Sequence, residues 1–408
     1  MLKKLEVVFE GWGQDWVLGT LADDGRHLLF EYSPEAVKRG IEFSPRHLKL
    51  RHEAYGNFPD FLSRLPGLVS DALPDGWGLL LMDRIFRKGG RNPDQVSPLD
   101  RLAFVGNGAM GALTFRPSEE LESQNADWSL LKLAQAAQHV NDEDIVALKM
   151  LALAGGSPHG ARPKALVMYD PVTRATSTRE DAPGEPWLVK FQAQDEHSEV
   201  CSIENVYAEM ARDCGIVMEP TRNFILDSKT AAFGTRRFDR ERGMRVPVHS
   251  MAGALHANFR VPSLDYETVL RATGFFTQDQ RQVFAAFRLC VFNVVFNNRD
   301  DHSKNFSFLM NKRMQWQFAP GYDLTFNTGP GGYHQTSVMG EALRPSRDDL
   351  ISLATKVALP LAESVEVIDK TCSIADGLAM ALEQADVRKV TRQTIHSAVT
   401  ANLLRCGI

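Results

Sequence analysis

Short runs of alternating apolar and polar residues dominate the first third of the chain. Three of these runs have a strand-like composition: Leu5 to Phe9, Trp16 to Leu21 and His27 to Tyr32. An apolar helix is predicted from Gly76 to Phe86, and strand-forming residues interrupted by glycines follow at 102–115. A polar segment begins at Pro117. Residues 1–118 are therefore predicted to form a compact α+β unit.

The middle third combines helical and strand patterns. Apolar residues with helical spacing at Leu130 to Val140 and Ile145 to Leu153 lead into a glycine-rich loop at 155–163. Short β-branched or aromatic runs follow: Lys164 to Tyr169, Trp187 to Phe191, Phe224 to Leu226 and Ala231 to Phe238. A helix is predicted from Ile203 to Cys214, with Gly215 as its stop. We expect residues 119–245 to form a small lobe made of a sheet and a helix.

Helical spacing dominates the last third. The apolar positions between Val283 and Phe296 indicate a helix that is buried on most sides. Further helical patterns recur at Asp348 to Val357, Leu361 to Leu382 and Arg388 to Leu404. One β-like interruption, Phe306 to Leu309 and Met314 to Phe318, predicts a hairpin. Residues 246–408 are therefore expected to form a helical lobe.

Composition narrows the class of protein. The chain has 408 residues, of which 44% are hydrophobic and 24% charged, as in soluble globular proteins with more than one domain. A formal net charge of −5 gives no whole-chain argument for nucleic-acid binding. The five scattered cysteines favour free thiols in a reducing cytosol. No segment has the pattern of a signal peptide or a membrane span, so we expect a cytoplasmic protein.

An acid and an amide lie five positions apart after the long apolar helix. Asp300 and Asn305 have the spacing of phosphoryl-transfer sites, in which the acid accepts the proton of the substrate hydroxyl and the amide oxygen holds Mg²⁺. Asp323, just past the predicted hairpin, supplies a second oxygen ligand for the metal. These residues make phosphate transfer from ATP the first hypothesis.

The other parts of such a site precede this loop in the chain. The glycines of the 155–163 loop permit close approach of the backbone to phosphate. Lys190 lies on a predicted strand, and Glu204 at the start of the next helix can form the ion pair that aims the lysine. The order of glycine loop, lysine, glutamate, Asp-x4-Asn, hairpin and aspartate is that of a protein-kinase site.

Each part also has a structural interpretation. A glycine-rich loop is often only a turn, and Lys190 alone fits a solvated strand lysine. Glu204 alone fits an acid that the helix dipole favours. Asp300 and Asp301 can cap a loop, and Asp323 can serve a turn. Only the combination in this order favours the kinase hypothesis.

The chain resembles the HipA-like serine/threonine kinases, the toxin components of bacterial type II toxin–antitoxin modules. In the N-terminal unit, residues 73–78 (LPDGWG) and 106–113 (GNGAMGAL) are similar to that family's motifs. In the kinase part, residues 157–164, 237–240 and the Asp-x-His-x-Lys-Asn-Phe run at 300–306 are similar as well. The resemblance implies an α+β, atypical two-lobed protein-kinase-like fold, with a mixed small lobe, an all-α large lobe and an additional N-terminal α+β subdomain.

The resemblance also implies roles for individual residues. Asp300 becomes the catalytic base, Asn305 and Asp323 the Mg²⁺ ligands, and Lys190 the contact to the ATP phosphates. The remaining nucleotide-binding positions that it implies fall in the glycine loop, the hinge and the catalytic segment: Ser157, Gly160, Ala161, Arg162, Lys164, Arg236, Arg237, Phe238, Asp239, His302, Lys304 and Tyr322. Within this set, residues 236–238 form the hinge against adenine and Asp239 lies beside the ribose.

Ser157 occupies the place of a serine that the family autophosphorylates. A phosphate adds about −1.5 to −2 charge to a loop that receives ATP phosphates, so modification is expected to repel ATP and eject the loop. A loop serine that donates one hydrogen bond is the structural alternative. Ser157 is therefore the candidate self-inactivation switch.

The resemblance implies a growth-arresting kinase that phosphorylates a translation component such as an aminoacyl-tRNA synthetase. A HipB-like helix-turn-helix antitoxin is the expected partner, DNA is reached mainly through that antitoxin, and no membrane is involved. One alternative is an ATP-binding co-repressor scaffold on an antitoxin–DNA complex, with the basic residues Arg388, Lys389 and Arg392 near phosphates. Another alternative is a small-molecule or lipid kinase.

Two positions depart from the family pattern. Asp301 stands where the best-known members have glycine, and its charge is expected to raise the pKa of Asp300 or to recruit a cation. Arg236 occupies a hinge position that is acidic in some members. Neither departure removes a required catalytic group.

Overall fold

The computed structural model describes residues 2–119, 127–138, 145–155 and 160–407. The N-terminal unit is built on an antiparallel sheet in the order β3-β2-β1-β4. Its strands and helices are β1 (Lys4–Phe9), β2 (Trp16–Asp23), β3 (Leu28–Tyr32), α1 (Pro34–Arg39), α2 (Gly67–Ser70), α3 (Gly76–Lys88), α4 (Pro98–Val105) and β4 (Leu113–Arg116). The three predicted strands and the predicted helix from Gly76 are confirmed.

The strand pattern expected at residues 102–115 is wrong in its first part. Residues up to Val105 belong to α4, which Ser97 and Asp100 start with a reciprocal capping box. The strand-like composition of this stretch, with its glycines, led to the wrong prediction at the helix. Only Leu113–Arg116 joins the sheet.

The small lobe is a five-stranded antiparallel sheet in the order β6-β5-β7-β9-β8. Its elements are α5 (Leu130–Gln138), α6 (Ile145–Gly155), β5 (Lys164–Tyr169), β6 (Thr176–Ser177), β7 (Glu185–Phe191), α7 (Glu199–Asp213), β8 (Thr221–Ile225) and β9 (Ala231–Arg236). Helix α7 packs on β8 and β9. The sheet and helix predicted for this lobe are confirmed.

The last third is mainly helical. Its elements are β10 (Arg240–Glu241), β11 (Met244–Arg245), β12 (Val248–Ser250), α8 (Met251–Leu255), β13 (Leu264–Asp265), α9 (Tyr266–Thr277), α10 (Gln280–Val295), β14 (Ser307–Met310), β15 (Trp316–Phe318), β16 (Thr336–Ser337), α11 (Arg347–Lys356), α12 (Leu361–Ala375), α13 (Leu378–Gln384) and α14 (Lys389–Cys406). The buried helix α10 packs against α9, α12 and α14. Among the described residues, no helix is both long and apolar enough to span a membrane.

The all-α description of the large lobe is incorrect in two places. The predicted hairpin is present as β14 and β15, but β12 adds a third strand to it. Strands β13 and β16 also form a short parallel pair. Both sheets include segments that follow α10, so the strands that the prediction missed lie near the candidate site.

One hydrophobic core continues from the N-terminal sheet into the helices of the last third. A second core joins the small-lobe sheet to α3 through Trp77 and Leu81. The N-terminal unit therefore packs against both lobes. Together the cores include residues from either side of both predicted domain divisions. The divisions after residues 118 and 245 therefore stay a prediction.

Candidate active site

Lys190 connects the two lobes across the cleft that lies between them. It lies on β7, and its Nζ is 2.6 Å from Glu204 Oε1 on α7 and 2.5 Å from Asp323 Oδ1. Burial alone lowers the pKa of Lys190, but the two carboxylates outweigh burial and raise it. The side chains of Lys190 and Glu204 are buried, so the interpretations as a solvated lysine and a helix-terminal acid do not apply.

A second buried lysine lies beside Lys190. Lys164 on β5 is its direct cross-strand partner. Burial, reinforced by the positive charge of Lys190, lowers the pKa of Lys164 to about 8. The small-lobe sheet thus brings two ammonium groups to one end of the cleft, where anionic phosphates would be attracted.

Asp300 and Asn305 lie in the loop that follows α10. Asn305 Nδ2 donates to the carbonyl oxygen of Asp300 at 2.7 Å, and Gln335 Nε2 donates to Asp300 Oδ1 at 2.8 Å. Burial raises the pKa of Asp300, and the charges of Asp323 and Asp301 add to that effect. Asp300 is therefore a stronger base than an exposed aspartate.

Asp301 anchors the loop that follows α10. Its carboxylate is almost fully buried and accepts from Tyr266 Oη at 2.9 Å, His334 Nδ1 at 2.9 Å and the backbone N–H of Gln335 at 2.8 Å. The expectation that it raises the pKa of Asp300 holds, but burial is the larger cause. The expectation that Asp301 recruits a cation stays a prediction.

Asp323 has the properties of a metal-binding carboxylate. Burial opposes ionisation, but the charge of Lys190 holds the pKa of Asp323 well below its usual range. Its backbone adopts the left-handed conformation, at φ 57°, in which aspartate is one of the tolerated residues. A short parallel bridge between Met218 and Gly321 fixes this segment to the small lobe.

The oxygen donors fit Mg²⁺. Asp323 and Asn305 line the same cavity. Because the Asn305 nitrogen is used by the Asp300 carbonyl, its amide oxygen is the atom left to serve as a ligand. Among the described residues, no group of three or more His, Cys, Asp or Glu side chains could hold a metal ion. A site with one carboxylate and one amide suits Mg²⁺ completed by phosphate and water oxygens, and the ion would supply positive charge there.

The hinge residues lie at the end of β9. The backbone N–H groups of Arg236 and Arg237 donate to the carbonyls of Pro220 and Pro186, both at 2.9 Å. The Arg236 side chain pairs with Glu219, while Phe238 lines the cavity and its ring lies 5.4 Å from that of Tyr322. Tyr322 Oη donates to the Lys304 carbonyl and also contacts Ser307 Oγ. Phe238 and Tyr322 therefore form an aromatic wall of the cavity.

Asp239 lies in a buried network of charges just after β9. Its side chain is fully buried, pairs with Arg237 and Arg240 at 2.8 Å each, and accepts from the backbone N–H of Gly111 at 2.8 Å. Burial opposes ionisation, but the two arginines hold the pKa of Asp239 well below its usual range. The role predicted for Asp239 beside the ribose stays a prediction, and its described contacts tie the predicted hinge to the N-terminal unit.

The described end of the glycine loop lies against the N-terminal unit. Gly160 N–H donates to Asp75 Oδ1 at 2.6 Å, and a Cβ at Gly76 would lie 3.1 Å from Ala161 Cα. Arg162 pairs with Glu196 at 3.0 Å. It also lies 3.6 Å from Glu204, the acid that pairs with Lys190. The predicted sites at Gly156 and Ser157 lie outside the described residues.

His302 and Lys304 lie in the segment between Asp300 and Asn305. His302 Nδ1 accepts from the Lys304 backbone N–H at 3.2 Å, and its charge favours the ionised forms of Asp300 and Asp323 by lowering their pKa values. Lys304 Nζ pairs with Asp75 Oδ2 at 2.8 Å and lies 4.1 Å from the Phe259 ring centroid.

The sequence patterns gave no role to Gln335 or Asp75. Gln335 has no motif, and no periodicity connects it with Asp300. Asp75 lies within the LPDGWG motif, which was the available signal. Both residues contact the predicted site across long stretches of chain.

Comparison with protein families gives two matches. The HipA-like C-terminal domain matches residues 156–399, well over half of the chain, and the HipA N-terminal domain matches residues 10–116. The fold is therefore that of an α+β, kinase-like protein with an additional N-terminal unit. The chain belongs to the HipA-like family.

Two solved structures are similar to this chain. HipA from Shewanella oneidensis MR-1, in a complex of that toxin–antitoxin system with HipB and operator DNA, has a TM-score of 0.71 at 16% identity over 98% of this chain and 96% of its own. The Helicobacter pylori proinflammatory kinase CtkA has a TM-score of 0.37 at 13% identity over 55% of this chain and 86% of its own. Comparison with curated proteins gives no match.

Proposed function

We propose that this protein is an ATP-dependent serine/threonine-protein kinase. The position of Lys190, between Glu204 and Asp323, carries the proposal. A lysine that is aimed by a glutamate, next to a carboxylate that can hold a metal ion, is the arrangement with which protein kinases position nucleotide phosphates. Membership of the HipA-like family supports the same reaction.

The reaction requires a base and fixed positive charge. The acceptor hydroxyl gives its proton to a carboxylate oxygen of Asp300 as its oxygen bonds to the γ-phosphorus and the bond from that phosphorus to the ADP oxygen breaks. The buried position of Asp300, with its raised pKa, favours proton acceptance. Lys190 and Lys304 offset the negative charge of the phosphates.

The proposal extends to the role of a growth-arresting toxin. Its substrate would be a translation component such as an aminoacyl-tRNA synthetase, and its partner a HipB-like helix-turn-helix antitoxin. The Shewanella protein, whose complex contains HipB and operator DNA, supports this partner. Arg388 pairs with Glu199 and Arg392 with Glu383, so direct DNA contact through these arginines is less favoured than contact through the antitoxin.

Ser157 is the proposed autophosphorylation site. It lies three residues before Gly160, whose backbone N–H is held by Asp75. A phosphate adds about −1.5 to −2 charge to the loop that we propose receives the ATP phosphates, so it would compete with them for the cations of the site. Modification of Ser157 would therefore inactivate the kinase.

Labelled ATP and Mg²⁺ test the enzymatic proposal. We expect the wild type to transfer label and Asp300→Asn to transfer none. Asp83→Asn, which removes an acid of α3 that pairs with Arg101 of α4, is the matched control and should retain transfer. Mass spectrometry should find phosphate on Ser157, and an acceptor screen separates a protein kinase from a small-molecule or lipid kinase. Absence of transfer by the wild type overturns the proposal.

A second candidate function is an ATP-binding co-repressor scaffold. The operator DNA in the Shewanella complex favours it, because a HipA protein there forms part of a DNA-bound assembly. Repression of a reporter by the antitoxin and this protein should persist in Asp300→Asn if binding alone matters. If repression is lost together with phosphate transfer, the scaffold function fails.

A further inference from the structure

Asp75 is an acid of the N-terminal unit that reaches the predicted phosphate-binding loops. It occupies the N-cap position of α3, but its side chain does not cap that helix. Instead, Oδ1 accepts from Gly160 N–H at 2.6 Å and Oδ2 pairs with Lys304 Nζ at 2.8 Å. Side-chain exposure is only 9% for Asp75 and 10% for Lys304, so solvent screens the pair weakly.

The backbone of Gly160 is held from both sides. Besides the bond to Asp75, its carbonyl accepts from Trp77 N–H at 3.2 Å. Gly76, at φ 46°, lets the two chains meet, because a Cβ there would lie 2.6 Å from the Gly160 carbonyl oxygen. The start of α3 and the end of the glycine loop are thus fitted to one another.

The segment that carries Asp75 is fixed to the large lobe by a second acid. Asp71 accepts from His249 Nδ1 at 2.7 Å, from Ser250 Oγ at 2.5 Å and from the Ser250 backbone N–H at 2.8 Å. A Cβ at Gly253 would lie 2.6 Å from an Asp71 oxygen, so only glycine lets α8 approach Asp71 this closely. The position of Asp75 is therefore set independently of its bond to Lys304.

We infer that Asp75 is a positioning residue of the kinase site, through which the N-terminal unit holds the Lys304 ammonium and the glycine-loop backbone together. The inference rests on the proposed kinase function. Lys304 lines the same cavity as Asn305 and Asp323, so Asp75 holds a lysine of the cavity in which the nucleotide phosphates would bind. The N-terminal unit thereby supports the active site from outside the two lobes.

The Asp75→Asn variant separates the positioning of Lys304 from the attachment of the glycine loop to the N-terminal unit. Asparagine keeps an oxygen for Gly160 N–H and loses the charge that pairs with Lys304. We expect kcat to fall on the order of 10- to 100-fold, because a misplaced group costs rate even when binding is intact. The dissociation constant for ATP should stay the same or decrease, because a negative charge near the phosphates has been removed. Unchanged kcat, or equal losses of kcat and ATP affinity, would overturn the inference.

A double-mutant cycle with Lys304→Met tests whether Asp75 acts through Lys304. In the Lys304→Met background, Asp75→Asn should change kcat by less than about twofold, since coupled residues are not additive. Asp83→Asn on the same helix is the matched control and should leave kcat unchanged in both backgrounds. The same loss from Asp75→Asn in both backgrounds would contradict the inference.

Hydrogen exchange gives a measurement that needs no phosphate transfer. Asp75→Ala removes the acceptor of Gly160 N–H, so the exchange of that amide should become severalfold faster in the full-length protein. Unchanged exchange would show that the contact has no role in holding the loop. Lack of transfer by the wild type would instead overturn the proposed kinase function, so the two failures are distinguishable.

Discussion

Lys190 and Asp323 form an ion pair between the small-lobe sheet and the segment after the hairpin, with 2.5 Å between Nζ and Oδ1. Glu204 Oε1 lies 2.6 Å from the same ammonium group. One ammonium group thus bridges two carboxylates that would otherwise repel each other. The same contact joins the two lobes and favours the ionised form of Asp323.

Lys190→Met should disable the site and destabilise the fold. Loss of the ammonium group leaves Glu204 buried without its main partner, and breaking such a pair costs about 3–5 kcal/mol. Loss of one charge-stabilising donor should reduce kcat by about 10²- to 10³-fold. Urea unfolding and labelled-ATP transfer measure the two effects.

Lys312→Met is the matched control for that change. Lys312 pairs with Glu241 at 2.7 Å, but both side chains are about half exposed. Surface pairs of this kind contribute little, so stability and transfer should stay near the wild-type values. Equal destabilisation by both variants would contradict a special role for the buried pair.

Asp300→Asn and Asp323→Asn should change stability in opposite directions near neutral pH. The folded-state pKa of Asp300 is raised above 3.8, so its ionisation disfavours the folded state as pH rises above that value. Asp300→Asn removes this cost and should be more stable than the wild type at about pH 7. Its advantage should shrink as pH falls toward 3.8.

The folded-state pKa of Asp323 is lowered, so its stabilising effect is present above the unfolded value of 3.8 and is lost as pH falls below it. Asp323→Asn should therefore be less stable than the wild type at about pH 7, with a deficit that narrows in acid. Urea unfolding of both variants, from neutral pH to below 3.8, measures whether each substitution raises or lowers the free energy of unfolding. Destabilisation of the same sign and pH dependence in both would refute the assignment.

The order of motifs along the chain was enough to predict the Lys190 and Glu204 pair and the catalytic loop. Helix α10 and the hairpin after it follow from apolar spacing and turn residues, and they place Asp300, Asn305 and Asp323 together. The contacts of Gln335 with Asp300 and of Asp75 with Gly160 join residues 35 and 85 positions apart. No local propensity encodes such contacts, because tertiary packing creates them.

Asp239 and Asp301 show a different limit of sequence patterns. Both are acids beside predicted site residues, and both carboxylates are almost completely buried in networks of donors. A sequence shows the charge of such an acid but not the arginines or the histidine that contact it. Their roles became visible only with the positions of Arg237, Arg240 and His334.

Asp301→Asn should loosen the catalytic loop. The amide retains one acceptor oxygen but cannot serve Tyr266, His334 and the Gln335 backbone together. We expect a loss of about 3 kcal/mol in the free energy of unfolding, as for other broken buried pairs. ATP affinity should change little, because the nucleotide-facing groups are retained. Asp83→Asn, at a partly exposed ion pair, is the control and should be nearly neutral.

Gln335→Ala should move the acidic limb of the kcat/KM profile to higher pH. The amide of Gln335 donates to Asp300 Oδ1 at 2.8 Å, and this bond lowers the pKa of Asp300. Its loss leaves burial and the charges of Asp323 and Asp301 to raise the pKa further, so a higher pH is needed to ionise the base. Gln335→Glu places a negative charge beside Asp300 and should shift the limb more than alanine does. A profile that stays in place in both variants would show that Gln335 does not tune the base.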